Sequence, residues 1–217
     1  MLRHLLAPVN LAAARSLAVS RVLPGAGGVA LTFDDGPHPE GTPAVLALLE
    51  EAGVRATFFL VGEQVERRPE LAARIRSAGH LVGLHGYRHR LQLRMTAAQV
   101  AGDLERGAAV IEDAVGAGPV CWHRPPYGIY SPAGLAAARG GGLTPLLWSR
   151  WGKDWRKFTT PGRIAARATR ALVPGDVILL HDGDFYSARG SHRRTASALG
   201  TILSELNRRK LDTVLPV

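Results

Sequence analysis

Short apolar runs alternating with helical patterns constrain this chain more than any other feature. The first run is Val29-Ala30-Leu31-Thr32-Phe33, stopped by Asp34-Asp35-Gly36-Pro37. It reads as a buried strand: short, partly β-branched and aromatic, and closed by turn residues. Ala56 to Gly62, His80 to Leu84, Pro119 to Trp122, Leu143 to Trp148, Asp176 to its exit at Asp182, and Leu211 to Leu215 read the same way. Helical patterns fall between them. Thr42-Pro43 looks like an N-cap and first turn, with Gly53 as the stop. Pro69 to Ala78 follows, then a helix opened by the capping box Thr96-Gln99 with Val100, Leu104, Ala108 and Ile111 on one face. Ser131-Pro132 and Thr160-Pro161 open two more, the second running through Ala171, and the last covers about 195–208. Strands that are apolar throughout and alternate with helices pair in parallel under a helical cover. The expected fold is α/β, with seven parallel strands that close into a barrel or stay open.

The length of 217 residues suits one domain with a sizeable core, and no repeat or linker divides it. Residues 1–27 are expected to form a lead-in segment, helical or part of a precursor, ahead of a domain at 28–217. Arg3, Arg15 and Arg21 break the Leu- and Ala-rich start, which makes a poor secretory signal. No run of about 20 apolar residues occurs, so no spanning helix is expected. Cys121 is the single cysteine, which excludes an internal disulfide and a Cys-rich metal site. The net charge of +9 favours anionic surroundings such as cell-wall polymers. The basic residues are dispersed and lack interleaved aromatics, so no nucleic-acid module is expected. The sequence sets no oligomeric state.

The notable polar residues sit where strands end. Asp34 and Asp35 follow the first, His85 and His89 the third, Arg124 the fourth, Asp154 the fifth and His181 the sixth. In parallel barrels catalytic groups gather at that rim. Adjacent residues on an extended chain point to opposite sides, so the two aspartates need separate tasks, one holding a cation and one free as a base. His85 and His89, four apart, share a face if they lie on a helical turn. Two histidines and a carboxylate form a facial set for Zn²⁺ or a similar divalent ion.

Thr32-Phe33-Asp34-Asp35-Gly36-Pro37 resembles the first motif of the NodB-homology polysaccharide deacetylases (carbohydrate esterase family 4). His85-x3-His89, Arg124-Pro125-Pro126-Tyr127-Gly128, Asp154-Trp155 and Leu179-x-His181 resemble the second to fifth motifs, in family order. The resemblance implies a distorted (β/α)7 barrel and metal-dependent hydrolysis of N-acetyl groups on N-acetylglucosamine-containing peptidoglycan or chitooligosaccharide. O-acetyl hydrolysis on xylan-type glycans, another amide hydrolase on the same barrel, and a non-catalytic wall-glycan binder are the alternatives. By the same resemblance Asp34 is the general base, Asp35, His85 and His89 hold the ion (Zn, or Co or another divalent metal), and His181 is the general acid tuned by Asp154. Arg124 steers Asp34 or Asp154. Pro126, Tyr127, Trp155 and Leu179 serve the substrate: a backbone N–H near Tyr127 meets the oxyanion, and Trp155 and Leu179 wall the acetyl slot. An extracytoplasmic or envelope location is implied by the family alone. Two departures stand out: Gly86 replaces the family's usual Ser or Thr, and Trp151 replaces an acidic residue. His4, His80, His123 and His192 are expected to be structural or solvated, and His38 to touch the groove without binding metal.

Overall fold

The apolar runs pair side by side in a computed structural model that describes residue 14 and residues 17–116 and 118–216. Residues 1–13, 15 and 16 of the lead-in segment lie outside the described residues. The strands are β1 (Ala30–Asp34), β2 (Thr57–Leu60), β3 (Leu81–Leu84), β4 (Trp122–His123), β5 (Thr144–Pro145), β6 (Arg150–Trp151) and β7 (Val177–His181). Their order is β5-β4-β3-β2-β1-β7-β6, and every pairing is parallel. The two edges, β5 and β6, are successive parts of one stretch. That stretch pairs first with β4 and then with β7, so the sheet curls round on itself into a distorted barrel with a seam at residues 146–149.

The seam is stitched by single bonds. Leu146 N donates to His123 O (3.0 Å), Leu147 N to Ser20 O (2.8 Å) and Ser149 N to Val177 O (3.0 Å). Arg124 donates to both seam carbonyls, from Nε to Leu146 O and from Nη2 to Leu147 O, each at 3.0 Å. The fifth apolar run, expected at Leu143–Trp148, is ordered as a strand only at Thr144–Pro145, and a further short strand, Arg150–Trp151, forms just beyond it. The expected last strand at Leu211–Leu215 is reduced to one bridge, Val29 with Thr213. Val29 precedes both ladders of β1, which pairs with β7 from Ala30 and with β2 from Thr32.

The helices are α1 (Gly41–Glu51), α2 (Gly62–Arg67), α3 (Pro69–Ser77), α4 (Ala97–Val115), α5 (Pro132–Gly140), α6 (Pro161–Ala168) and α7 (Ser191–Arg208). Thr96 caps α4 in a full capping box, and Ser131 and Thr160 accept from Gly134 N and Arg163 N at the starts of α5 and α6. Thr42 is not the cap of α1. It lies inside the helix, and its buried hydroxyl accepts from His38 N and donates to Asp182 Oδ2. The first turn is capped instead by His38 Nδ1, which accepts from Gly41 N (2.9 Å) and Glu40 N (3.2 Å). The helix α2 had no sequence signal, α6 stops at Ala168 rather than Ala171, and α7 begins four positions before 195. Phe33 of β1 and Phe58 of β2 stack at 5.1 Å in the core. Among the described residues no helix is long and apolar enough to cross a membrane.

Candidate active site

The C-terminal ends of the strands bring the predicted residues to one mouth. Asp34 is the last residue of β1, and the rule that neighbouring side chains diverge stops there. Asp35 leaves the strand with φ +80°, a left-handed conformation that costs a non-glycine residue about 1–3 kcal/mol. That turn brings both carboxylates to the same cavity, against the expectation of opposite sides. His85 and His89 lie on a loop, not a helical turn, with ring centroids 5.3 Å apart. Gly86 has φ +86°, so glycine is favoured there rather than costly. A Cβ at Gly86 would lie 3.0 Å from Asp103 Oδ2, and Asp103 already accepts from Tyr87 N (2.9 Å) and Arg88 N (3.2 Å). Gly86→Ser is expected to cost about 1–2 kcal/mol, seen as a lower urea midpoint.

Asp34 and Arg124 form a buried pair. Arg124 is 0% exposed, and its Nη1 donates to Asp34 Oδ1 and to Thr32 Oγ1, both at 2.8 Å. Asp34 is thus the partner that the sequence left open between two aspartates. Burial raises the Asp34 carboxyl to about 6, against the pull of Arg124. On the other flank Asp154, fully buried, accepts from His181 N (2.7 Å), from His181 Nδ1 (2.9 Å) and from Thr195 Oγ1 (2.8 Å). Burial alone would lower the His181 imidazolium, but the Asp154 charge and hydrogen bond outweigh it and hold the group up to about 10.

Asp35, His85 and His89 offer ligand atoms that all lie within 4.8 Å of one another. His85 Nδ1 is 2.7 Å from the carbonyl of Arg124, which can only accept, so Nδ1 carries the proton. His85 Nε2 therefore presents a lone pair, 3.6 Å from Asp35 Oδ1, and His89 Nε2 lies 3.3 Å from the same oxygen. Burial drives His85 well below the ordinary imidazole range, so it adds no proton there. Asp35 Oδ1 is buried without a hydrogen-bond partner among the described residues. Its carboxyl is nonetheless held below the usual range, because the neighbouring imidazoles outweigh burial. Two imidazoles and a buried carboxylate oxygen converging on one point are a donor set that fits a bound cation.

A second group, His38, Asp184 and His192, also gathers within 4.8 Å. It does not suit a metal. His38 Nδ1 already accepts two backbone N–H bonds, so the proton of its neutral ring sits on Nε2, which faces Asp184 Oδ1 at 3.2 Å. His38 caps α1, and the His192 ring packs against it with centroids 4.3 Å apart.

The cavity between the flanks is small, about 40 Å³, enough for roughly three waters at about 10–15 Å³ per water. Tyr127, Trp155 and Leu179 line it, while Pro126 is buried behind, and Arg124 and Asp154 act from outside it. Trp148, Trp151, Tyr186 and Ser187 also line it. Trp151 sits between Trp148 (5.5 Å) and Trp155 (5.1 Å) as part of this wall. Sequence reasoning missed Tyr186 and Ser187. The available signal was the Asp184-Phe185-Tyr186-Ser187 run, separated from the end of β7 by two residues.

Three ligand atoms converge beside a buried carboxylate, Asp34, and the imidazolium of His181, which line the same cavity, and such a cluster marks a hydrolytic site. The chain belongs to the polysaccharide deacetylase family, whose model matches residues 23–146, and that family implies a divalent metal. It is 36% identical over 183 residues to a peptidoglycan-N-acetylglucosamine deacetylase of Bacillus cereus, covering 83% of this chain and 82% of that one. A chitooligosaccharide deacetylase of Bradyrhizobium is 35% identical over 196 residues, covering 87% and 88%. Among solved structures, a peptidoglycan N-acetylglucosamine deacetylase in complex with 4-naphthalen-1-yl-N-oxidanyl-benzamide superposes with a TM-score of 0.84 at 29% identity, covering 93% and 92%.

Proposed function

We propose that this chain hydrolyses N-acetyl groups of N-acetylglucosamine-containing glycans, peptidoglycan or chitooligosaccharide, releasing acetate. The observation that carries the reading is the set of three converging ligand atoms in one cavity with Asp34 and His181. Asp35, His85 and His89 would hold one divalent ion, and two imidazoles with one carboxylate suit zinc. When bound, the ion supplies positive charge that acidifies water and polarises the acetyl carbonyl. Asp34, fixed by Arg124, takes a proton from the attacking water. His181, charged and oriented by Asp154, gives its Nε2 proton to the leaving nitrogen as the C–N bond breaks. Acetic acid, which ionises to acetate, and a free amine result; Asp34 has then gained one proton and His181 has lost one, and exchange with solvent returns both to their starting states. Tyr127, which lines the cavity, would offer its backbone N–H to the oxyanion, and Trp155 and Leu179 would close around the methyl group. The basic surface favours an anionic polymer as the setting.

The test is acetate release from N-acetylglucosamine oligomers, peptidoglycan and acetylxylan, with added zinc and with a chelator. Release from the first two, abolished by the chelator and restored by zinc, is expected. Release from acetylxylan alone would favour the esterase reading. No release from any substrate with zinc present would reject the assignment.

A further inference from the structure

The loop after β7, residues 183–190, builds a wall that the five motifs do not explain. Tyr186 lays its ring flat on His89, with centroids 4.1 Å apart and 8° between planes. Its hydroxyl donates to Glu63 Oε1 (2.8 Å) and accepts from Gln64 Nε2 (3.0 Å), both on α2. The loop itself is tied down. Asp184 Oδ2 accepts from Gly190 N at 2.6 Å, and Asp184 lies 3.2 Å from His38 Nε2 and 3.1 Å from His192 Nδ1.

The two imidazoles at the mouth are held differently. His85 is oriented by a hydrogen bond from Nδ1 to the Arg124 carbonyl. His89 Nδ1 is buried with no hydrogen-bond partner among the described residues. Metal-binding histidines almost always have such an outer partner, which fixes the ring. We propose that Tyr186 is a positioning residue: its ring, pinned by Glu63 and Gln64, sets the plane of His89 for the cation in place of the missing hydrogen bond. This rests on His89 being a ligand, as proposed above.

Wild type, Tyr186→Phe and Tyr186→Leu, stripped of metal, are titrated with zinc against a competing chromophoric chelator. Their melting temperatures are taken without metal. Tyr186→Leu is expected to bind zinc about 10–100-fold more weakly, the usual effect of losing an outer partner. Tyr186→Phe keeps the stack but loses the pin to Glu63 and Gln64, so its zinc affinity should fall between wild type and the Leu variant. Saturating zinc should restore most of the Leu variant's kcat at unchanged KM. A merely structural residue would lower the metal-free melting temperature and leave the affinities equal. Zinc binding by the Leu variant as tight as wild type, or by the Phe variant as weak as Leu, overturns the proposal. Tyr186→Met, which refills the space without a ring, gives the same comparison if Leu prevents folding. If wild type takes up no zinc, the ligand assignment itself fails, and the inference goes with it.

Discussion

Asp34→Asn is expected to lower kcat by about 10²–10⁴-fold, the usual worth of a general base, while zinc binding persists. The amide oxygen can still accept from Arg124 Nη1, so the local geometry survives. What is lost is the ability to take a proton. The ligand atoms on Asp35, His85 and His89 are untouched, so zinc titration should match wild type within a few fold. The pH profile follows from the same group. The Asp34 carboxyl is raised to about 6, so as pH falls through that region it becomes protonated and kcat/KM drops. A divalent cation beside it stabilises the carboxylate and moves this acid limb to lower pH. Chelation therefore removes activity by a separate route, one that the Asn variant leaves intact. Full turnover in Asp34→Asn would remove the base assignment.

Arg124→Met is expected to destabilise the fold by about 3–5 kcal/mol, because deleting one partner strands the other charge in the interior. At about 2–4 °C per kcal/mol for a chain of this size, the melting temperature falls by roughly 6–20 °C. The guanidinium has four acceptors: Asp34, Thr32 and the carbonyls of Leu146 and Leu147. Methionine fills the volume and serves none of them. Lysine keeps the charge but lacks the planar fork that reaches both the carboxylate and the seam, so Arg124→Lys should recover only part of the loss. Thermal unfolding of the metal-free variants measures this. A loss below about 1 kcal/mol would show that the pair is dispensable to stability.

The strand ends were legible because their chemistry is local. Asp34, Asp35, His85, His89, Arg124, Asp154 and His181 each follow an apolar run closely, and parallel pairing alone sends them to one rim. Side-chain direction was not legible. Asp35 joins Asp34 at the same cavity through a positive φ, and neither residue's type predicts that. Gly86 looked like a defect because a His-x3-His spacing suggested a helix, whereas the backbone there needs the left-handed conformation that glycine provides. The closing stretch reads as one strand at Leu143–Trp148 followed by a loop, since nothing in its composition marks the change of partner that makes Arg150–Trp151 a strand. Tyr186 was hidden because its contacts reach back to α2, more than 120 positions earlier in the chain.

The seam also gives the stretch ahead of β1 a mechanical part. Ser20 O accepts from Leu147 N, Leu23 N donates to Gly175 O, and Arg21 Nε donates to Trp148 O. Residues 19–23 thus act as a bolt across the join of the barrel, though they carry no reacting group. A proteolytic cut or an engineered start upstream of Val19 spares the bolt, whereas one at position 24 draws it and leaves the wall behind Arg124 unbraced.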